Sequence, residues 1–151
     1  MKITFKGDYA LKAILDLTMN SGEGKVVPIS EISQRQDIPL PFLGQIMLIL
    51  KNAGYVLSKT GKGGGFLLAK TPEEITLGEI IRLIEGPIEP IACGVRGKPS
   101  GCADEKYCAF REVWVNVTDA ISDIVDKVTF ADIMRRTKEL QQTNSAFIYH
   151  I

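Results

Sequence analysis

Ile29-Ser30-Glu31-Ile32-Ser33-Gln34-Arg35-Gln36-Asp37-Ile38-Pro39-Leu40-Pro41-Phe42-Leu43-Gly44-Gln45-Ile46-Met47-Leu48-Ile49-Leu50-Lys51-Asn52 is the stretch that decides the fold. Ser30 reads as an N-cap, with Ser33 rather than a glutamate three residues on, and opens a short helix to Gln36. Asp37 to Pro41 reads as a turn, because the residue before each proline is pushed out of the α region. A third helix then runs from Pro41 to about Asn52, with the proline in the first turn, where a missing N–H costs nothing. Leu43, Ile46, Met47 and Leu50 recur at helical spacing as its buried stripe, which leaves Phe42, Gln45 and Lys51 facing outward.

Upstream, Gly7 to Asn20 is expected to be an amphipathic helix with Tyr9, Ala10, Ala13, Ile14, Leu17 and Thr18 on one face. Downstream, Tyr55–Thr60 and Phe66–Lys70 read as two strands joined through Gly61-Lys62-Gly63-Gly64-Gly65. Helix, short helix, turn, helix and basic hairpin follow the order of a winged helix-turn-helix. The expected fold is therefore mainly α with a small β-hairpin. Thr76 is placed to cap a fourth helix over Leu77–Glu85, which Gly86-Pro87 ends. Ala109–Val128 is the longest periodic segment, with Phe110, Val113, Trp114, Val117, Ala120, Ile121, Ile124 and Val128 three or four apart. Such a stripe outside a small winged domain is expected to be a dimerisation helix. Thr129 would cap a last helix through Ile133 to Gln142. The expected organisation is a DNA-binding region over 1–86, a cysteine loop over 87–108, and a dimerisation helix with a C-terminal segment over 109–151.

The 151-residue chain is 45% hydrophobic and 24% charged, ordinary values for a globular protein. No apolar run approaches the roughly 20 residues that cross a bilayer. The start lacks the apolar stretch of a signal peptide, so no membrane association and a reducing cytoplasm are the expectations. Net charge is zero but unevenly placed. Residues 1–70 hold nine Lys/Arg against five Asp/Glu, a net of +4, and residues 71–151 hold nine against thirteen, a net of −4. The first half thus suits a polyanion.

Three motifs carry chemistry. The glycine-rich hairpin tip fits neither a P-loop nor a dinucleotide fingerprint. As a wing it makes sense: Gly61 and Gly63 let backbone approach a sugar–phosphate chain, and Lys59 and Lys62 flank them with charge. In a helix-turn-helix the second helix puts its first residues into the major groove, here Leu40, Pro41, Phe42 and Gln45. Gln45 can pair bidentately with adenine and Phe42 can meet a thymine methyl, although Phe42 also reads as core.

The only cysteines, Cys93, Cys102 and Cys108, are separated by eight and five residues in a stretch rich in glycine and charge. No Cys-x-x-Cys pair marks a zinc site, and the single histidine, His150, lies in the tail. A thiol redox switch would leave one cysteine spare. An iron–sulfur cluster, 2Fe-2S or 4Fe-4S, accepts three thiolates with one other donor and fits the set best.

With these pieces in order, the chain resembles the IscR/NsrR family of winged-helix iron–sulfur transcription regulators over nearly its whole length. The resemblance rests on Gly7-Asp8-Tyr9-Ala10-Leu11, Ile29-Ser30-Glu31-Ile32-Ser33, Phe42-Leu43-Gly44-Gln45-Ile46, the wing Ser58–Phe66, Thr76-Leu77-Gly78-Glu79-Ile80-Ile81, and three cysteines before a long helix. It implies a homodimeric repressor on a roughly palindromic double-stranded DNA operator, responding to cluster supply, nitric oxide or redox stress. It also implies a fourth ligand. Where IscR-like members carry a histidine three residues after the last cysteine, this chain has Arg111. NsrR-like members use an aspartate at the start of helix one, from the partner subunit, and that position is Asp8. The chain departs from the family in its first cysteine interval and in Thr60, which stands where many members carry a wing arginine. A thiol-redox or zinc-stabilised regulator without a cluster, and a small cluster carrier, are the competing readings. A catalytic domain is not expected, since no Ser/His or Cys/His arrangement is present.

Overall fold

The computed structural model describes residues 2–99 and 101–148, without side-chain detail for residue 23 and for 144–148; His150 lies outside the described residues. Six α-helices and one antiparallel hairpin follow in the order α1 (Phe5–Asn20), α2 (Ile29–Gln36), α3 (Leu40–Asn52), β1 (Val56–Lys59), β2 (Gly65–Leu68), α4 (Leu77–Glu85), α5 (Ala109–Val125) and α6 (Phe130–Ile148). Two single turns of 3₁₀ helix, Gly22–Gly24 and Pro72–Glu74, round off the connections.

α1 is the hub, packing against α2, α3, α4, α6 and β2. Ala10, Ala13, Ile14 and Leu17 on its inner face are fully buried. It begins two residues earlier than its periodicity suggests, because Thr4 caps it by accepting from Gly7 N at 3.4 Å. Thr4 is itself held by Glu85 Oε1 at the end of α4, which accepts from its N–H at 2.9 Å and its hydroxyl at 2.7 Å. The Thr4 hydroxyl bond lowers the Glu85 carboxyl from its usual value. A side chain at position 7 would displace that carboxylate from Thr4, so Gly7 leaves room for the Glu85–Thr4 contact.

α2 starts at Ile29, not Ser30, with Pro28 as the residue before it and no side-chain cap. Ser30 is therefore inside the helix, and the expectation that it caps is corrected: proline already fixes the extended backbone that an entry residue needs. The turn is Asp37–Pro39. Asp37 adopts the left-handed conformation (φ 52°, ψ 47°) and Ile38 N donates to Ser33 O at 3.0 Å. α3 opens at Leu40 with Pro41 next, and buries Leu43, Ile46, Met47 and Leu50, the predicted stripe.

An ion pair between a buried carboxylate and a partly exposed guanidinium ties α1 to α2. Asp16, 1% exposed, accepts from Arg35 Nε at 2.9 Å, Arg35 Nη2 at 2.8 Å and Gln36 Nε2 at 3.0 Å. The bond to Asp16 raises the Arg35 guanidinium above its ordinary value, opposed by burial and reinforced by Glu31. Arg35→Ala would leave the buried Asp16 carboxylate with Gln36 alone and, discounted for the partly exposed guanidinium, is expected to cost about 1–2 kcal/mol. Urea unfolding of Arg35→Ala beside Gln34→Ala measures it; equal midpoints would show that the pair is not holding the helices.

β1 and β2 pair with Val56 opposite Leu68 and Lys59 opposite Gly65. Val27 adds a third rung, exchanging two 2.8 Å backbone bonds with Phe66. α4 has the bounds read from the sequence. Its cap is a complete box, with Thr76 Oγ1 accepting from Glu79 N at 3.3 Å and Glu79 Oε2 from Thr76 N at 2.9 Å.

α5 ends at Val125, three residues short of the predicted Val128. Its inward face is Val115, Thr118 and Val125, offset from the stripe the spacing picked out. Val125 joins Ile81 and Ile88 in a second small core, and Arg82 of α4 grips Asp126 and Ser122 beside it. Thr129 caps α6, accepting from Asp132 N at 3.2 Å while Asp132 Oδ2 accepts from Thr129 N at 3.0 Å. Phe130, the first residue of α6, is 1% exposed within the core built around α1.

Candidate functional site: a DNA-reading face and a cysteine loop

The burial of α3 divides the helix cleanly. Leu43, Ile46, Met47 and Leu50 face the core, while Leu40, Pro41, Phe42 and Gln45 are exposed. Phe42 keeps 60% of its surface in water, so it is not a core residue. The first turns of α3 thus present two apolar side chains, a proline and an amide in a row, held rigidly from below.

At the wing, Lys59, Thr60, Gly61, Lys62 and Gly63 are all exposed. Gly61 (φ 92°) and Gly63 (φ 75°) take backbone conformations that disfavour other residues, and Gly64 N closes the tip on Gly61 O at 3.0 Å. The tip is narrow, basic and nearly free of bulk. A strand of phosphates can approach its backbone closely.

Between α4 and α5, the described residues of 86–108 carry no α-helix or β-strand. Cys93 and Cys108 are half-buried and Cys102 is exposed. Cys108 is the residue before α5 and its side chain makes no capping bond. The loop is tied down by Arg111 of α5, whose Nη2 donates to Lys98 O at 3.1 Å and meets Glu105 Oε1 at 3.1 Å. Arg96 reaches Asp119 of α5 at 2.6 Å. Three thiols on one loop are a donor set whose chemistry suits an iron–sulfur cluster. Among the described residues, however, no group of three or more His, Cys, Asp or Glu side chains lies close enough together to hold a metal ion. Asp8 stands in the first turn of α1, paired with Lys12 at 2.7 Å across a partly exposed surface.

The sequence reading missed two features of this face. Phe5 lies outside the helix that periodicity assigned, yet it is 80% exposed and lines a notch with Lys6, Tyr9, Phe42, Gln45 and Ile46. Tyr9, assigned to the buried face of α1, is half-buried and forms part of the same notch. An N-cap threonine at position 4 was the signal that would have brought Phe5 and Lys6 onto the helix. On α5, Phe110 (76%), Val113 (55%) and Ile124 (65%) stay exposed, an unpartnered apolar face opposite Val115 and Val125. No helix among the described residues is long and apolar enough to cross a membrane.

Comparison with known proteins agrees with this architecture. Residues 3–136 match the Rrf2 family, described as an iron-dependent transcriptional regulator. The chain is 35% identical over 140 residues to the HTH-type transcriptional regulator IscR of Erwinia tasmaniensis, covering 93% of this chain and 82% of that one. It is 33% identical over 151 residues to the HTH-type transcriptional regulator CymR of Bacillus subtilis, covering all of both. Among solved structures, CymR (YrzC), the global cysteine regulator of B. subtilis, superposes with a TM-score of 0.74 at 32% identity over 90% of this chain and 98% of that one. IscR of T. potens superposes with a TM-score of 0.75 at 31% identity, over 93% and 91%.

Proposed function

Since the chain belongs to the Rrf2 family of transcriptional regulators, we propose that it works as a homodimeric repressor that reads a palindromic operator with α3 and the wing, under control of the cysteine loop. Its relatives are named as regulators rather than enzymes. Leu40, Pro41, Phe42 and Gln45 enter the major groove. Lys59, Thr60, Gly61, Lys62 and Gly63 lie against the backbone or the adjacent minor groove. In this reading residues 1–86 bind DNA, 87–108 sense, and 109–151 hold the two subunits together in the cytoplasm. The observation that carries it is the division of α3: an inward stripe with no polar gap and, on the other side, an exposed Phe42 and Gln45 that the fold of one subunit does not use.

Replacing Lys59 and Lys62 together by Ala tests the wing. Two lost phosphate contacts should weaken binding by similar factors on operator and random duplex, and flatten the plot of log affinity against log salt by about two units. An unchanged slope would take the wing out of the interface.

For the loop, the proposed cofactor is an iron–sulfur cluster held by Cys93, Cys102 and Cys108, with Asp8 of the partner subunit as fourth ligand. A bound cluster supplies a redox- and nitric-oxide-reactive centre. The chain's own part is to offer three soft thiolates and one harder, exchangeable carboxylate. A second reading has its own support: Arg111 fills the histidine position of IscR-like members and clamps the loop through Lys98 and Glu105. The similarity to CymR also runs the full length of both chains. In that reading the loop regulates through its thiols without a cluster. Iron and acid-labile sulfide analysis of anaerobically purified protein separates the two.

A further inference from the structure

The first two turns of α1 run beside the first two turns of α3, and together they enclose the notch lined by Phe5, Lys6, Tyr9, Phe42, Gln45 and Ile46, about 380 Å³ in volume. One wall is an aromatic pair, Phe5 and Tyr9, with ring centroids 6.1 Å apart and planes at 37°. Phe42 belongs to the other. Phe5 and Phe42 are 80% and 60% exposed, so the notch presents ring surface to solvent instead of filling itself. An isolated exposed aromatic needs no explanation, but three in one concavity mark a contact surface.

The charge in the lining of the notch is positive. Lys6 is the charged residue of its lining, and Lys2, exposed, stands four residues before it, ahead of the helix. Two acids stand nearby, each with its own partner: Asp8 pairs with Lys12 at 2.7 Å, and Glu85, which also feels the Lys6 charge, accepts both the N–H and the hydroxyl of Thr4. Two residues of the notch, Phe42 and Gln45, already belong to the proposed reading surface, so whatever α3 meets is carried directly onto α1. An occupant with negative charge on its rim and apolar groups within reach of ring faces is needed. Duplex DNA offers phosphates flanking a groove edge studded with thymine methyl groups.

We propose that the first turn of α1 is part of the DNA interface: Phe5 packs with Phe42 on apolar groove-edge atoms, and Lys6 meets the phosphate beside them. This rests on α3 being the reader and adds sequence preference at a base step next to the one Gln45 reads.

The test uses the full-length dimer in a fluorescence anisotropy titration at several salt concentrations. The probes are a duplex selected by the wild-type protein from a randomised library, and a mixed-sequence duplex of equal length. Phe5→Ala is expected to bind the selected duplex roughly tenfold more weakly and the mixed duplex unchanged, the pattern of a lost apolar base contact. Lys6→Gln is expected to lose on both and to lower the salt slope by about one. Both side chains are exposed, so neither change disturbs the core. Gln45→Ala serves as the reference for α3. If Gln45→Ala loses discrimination while Phe5→Ala and Lys6→Gln match wild type, α1 is outside the interface and the α3 reading stands. If Gln45→Ala also matches wild type, both fail together. If Phe5→Ala instead dissociates the dimer at unchanged affinity per dimer, the notch belongs to a second copy of the chain and the proposal is overturned.

Discussion

A monomer that no longer holds its operator is the expected product of Ile124→Asp. Ile124 is 65% exposed on α5 and continues the series Phe110, Val113, Val117, Ala120. Those positions alternate three and four residues apart, the spacing of a coiled-coil seam, and Val115, Thr118 and Val125 on the opposite side already satisfy the subunit's own core. A carboxylate in such a seam would be desolvated without a partner, a cost of several kcal/mol per ion, and the two-fold axis of the proposed dimer would place a second one opposite. Losing the second half-site removes one reader and one wing at a stroke, so affinity should fall by two orders of magnitude or more on a palindromic duplex. Ile121 is a poorer choice for the same experiment. It is half-buried against the small core of Ile81, Ile88 and Val125, so a charge there would also unsettle the subunit. Sedimentation at micromolar concentration reads the outcome. A wild type that is already monomeric, or an Ile124→Asp dimer, would reject α5 as the interface.

The second large effect concerns the cysteines. Ser in place of Cys93, Cys102 or Cys108 should abolish bound iron and sulfide, because a three-thiolate set has no spare member. Asp8→Ala should behave differently, retaining part of the cluster with an altered visible spectrum and faster decay in air, since water or a thiol can occupy one position. The Asp8–Lys12 pair is no obstacle: an exposed pair one helical turn apart is worth only about 0.3–0.5 kcal/mol, far less than a metal–ligand bond. Wild-type protein purified anaerobically without iron or sulfide would leave the thiol-only reading in its place. A spectrum and air sensitivity unmoved by Asp8→Ala would return Asp8 to the role of an acidic first-turn residue.

Much of the DNA-reading half was legible because its signals are local. The α3 stripe, the bounds of α4 and the turn at Asp37 each follow from periodicity, a capping threonine or a proline within a few residues. Errors arose where a residue's role is set from far along the chain. Ser30 is the exception, a local misassignment: Pro28, two residues before it, already supplies the extended entry residue. Phe5 escaped notice because the cap at Thr4 is secured by Glu85, 81 residues away. The α5 spacing is compatible with several adjacent faces, and packing against Ile81 and Ile88 decides that Val125 turns inward. The loop is the least legible part: turns and long side chains such as Arg111 set its course, and no period encodes them.

Phe130 has a consequence for the birth of the protein. It packs at 1% exposure into the same interior as Ala10, Ile14 and Leu17, which precede it by more than a hundred positions. A ribosome delivers the chain from the N-terminus at roughly 5–20 residues per second. The reading helices are therefore in the cell for several seconds before the side chain that closes their interior exists outside the exit tunnel. By then the cysteine loop and all of α5 have already been made. The interior around α1 is therefore completed only after the cysteine loop and α5 have been made, so the proposed reading head, loop and assembly helix reach their final packing together.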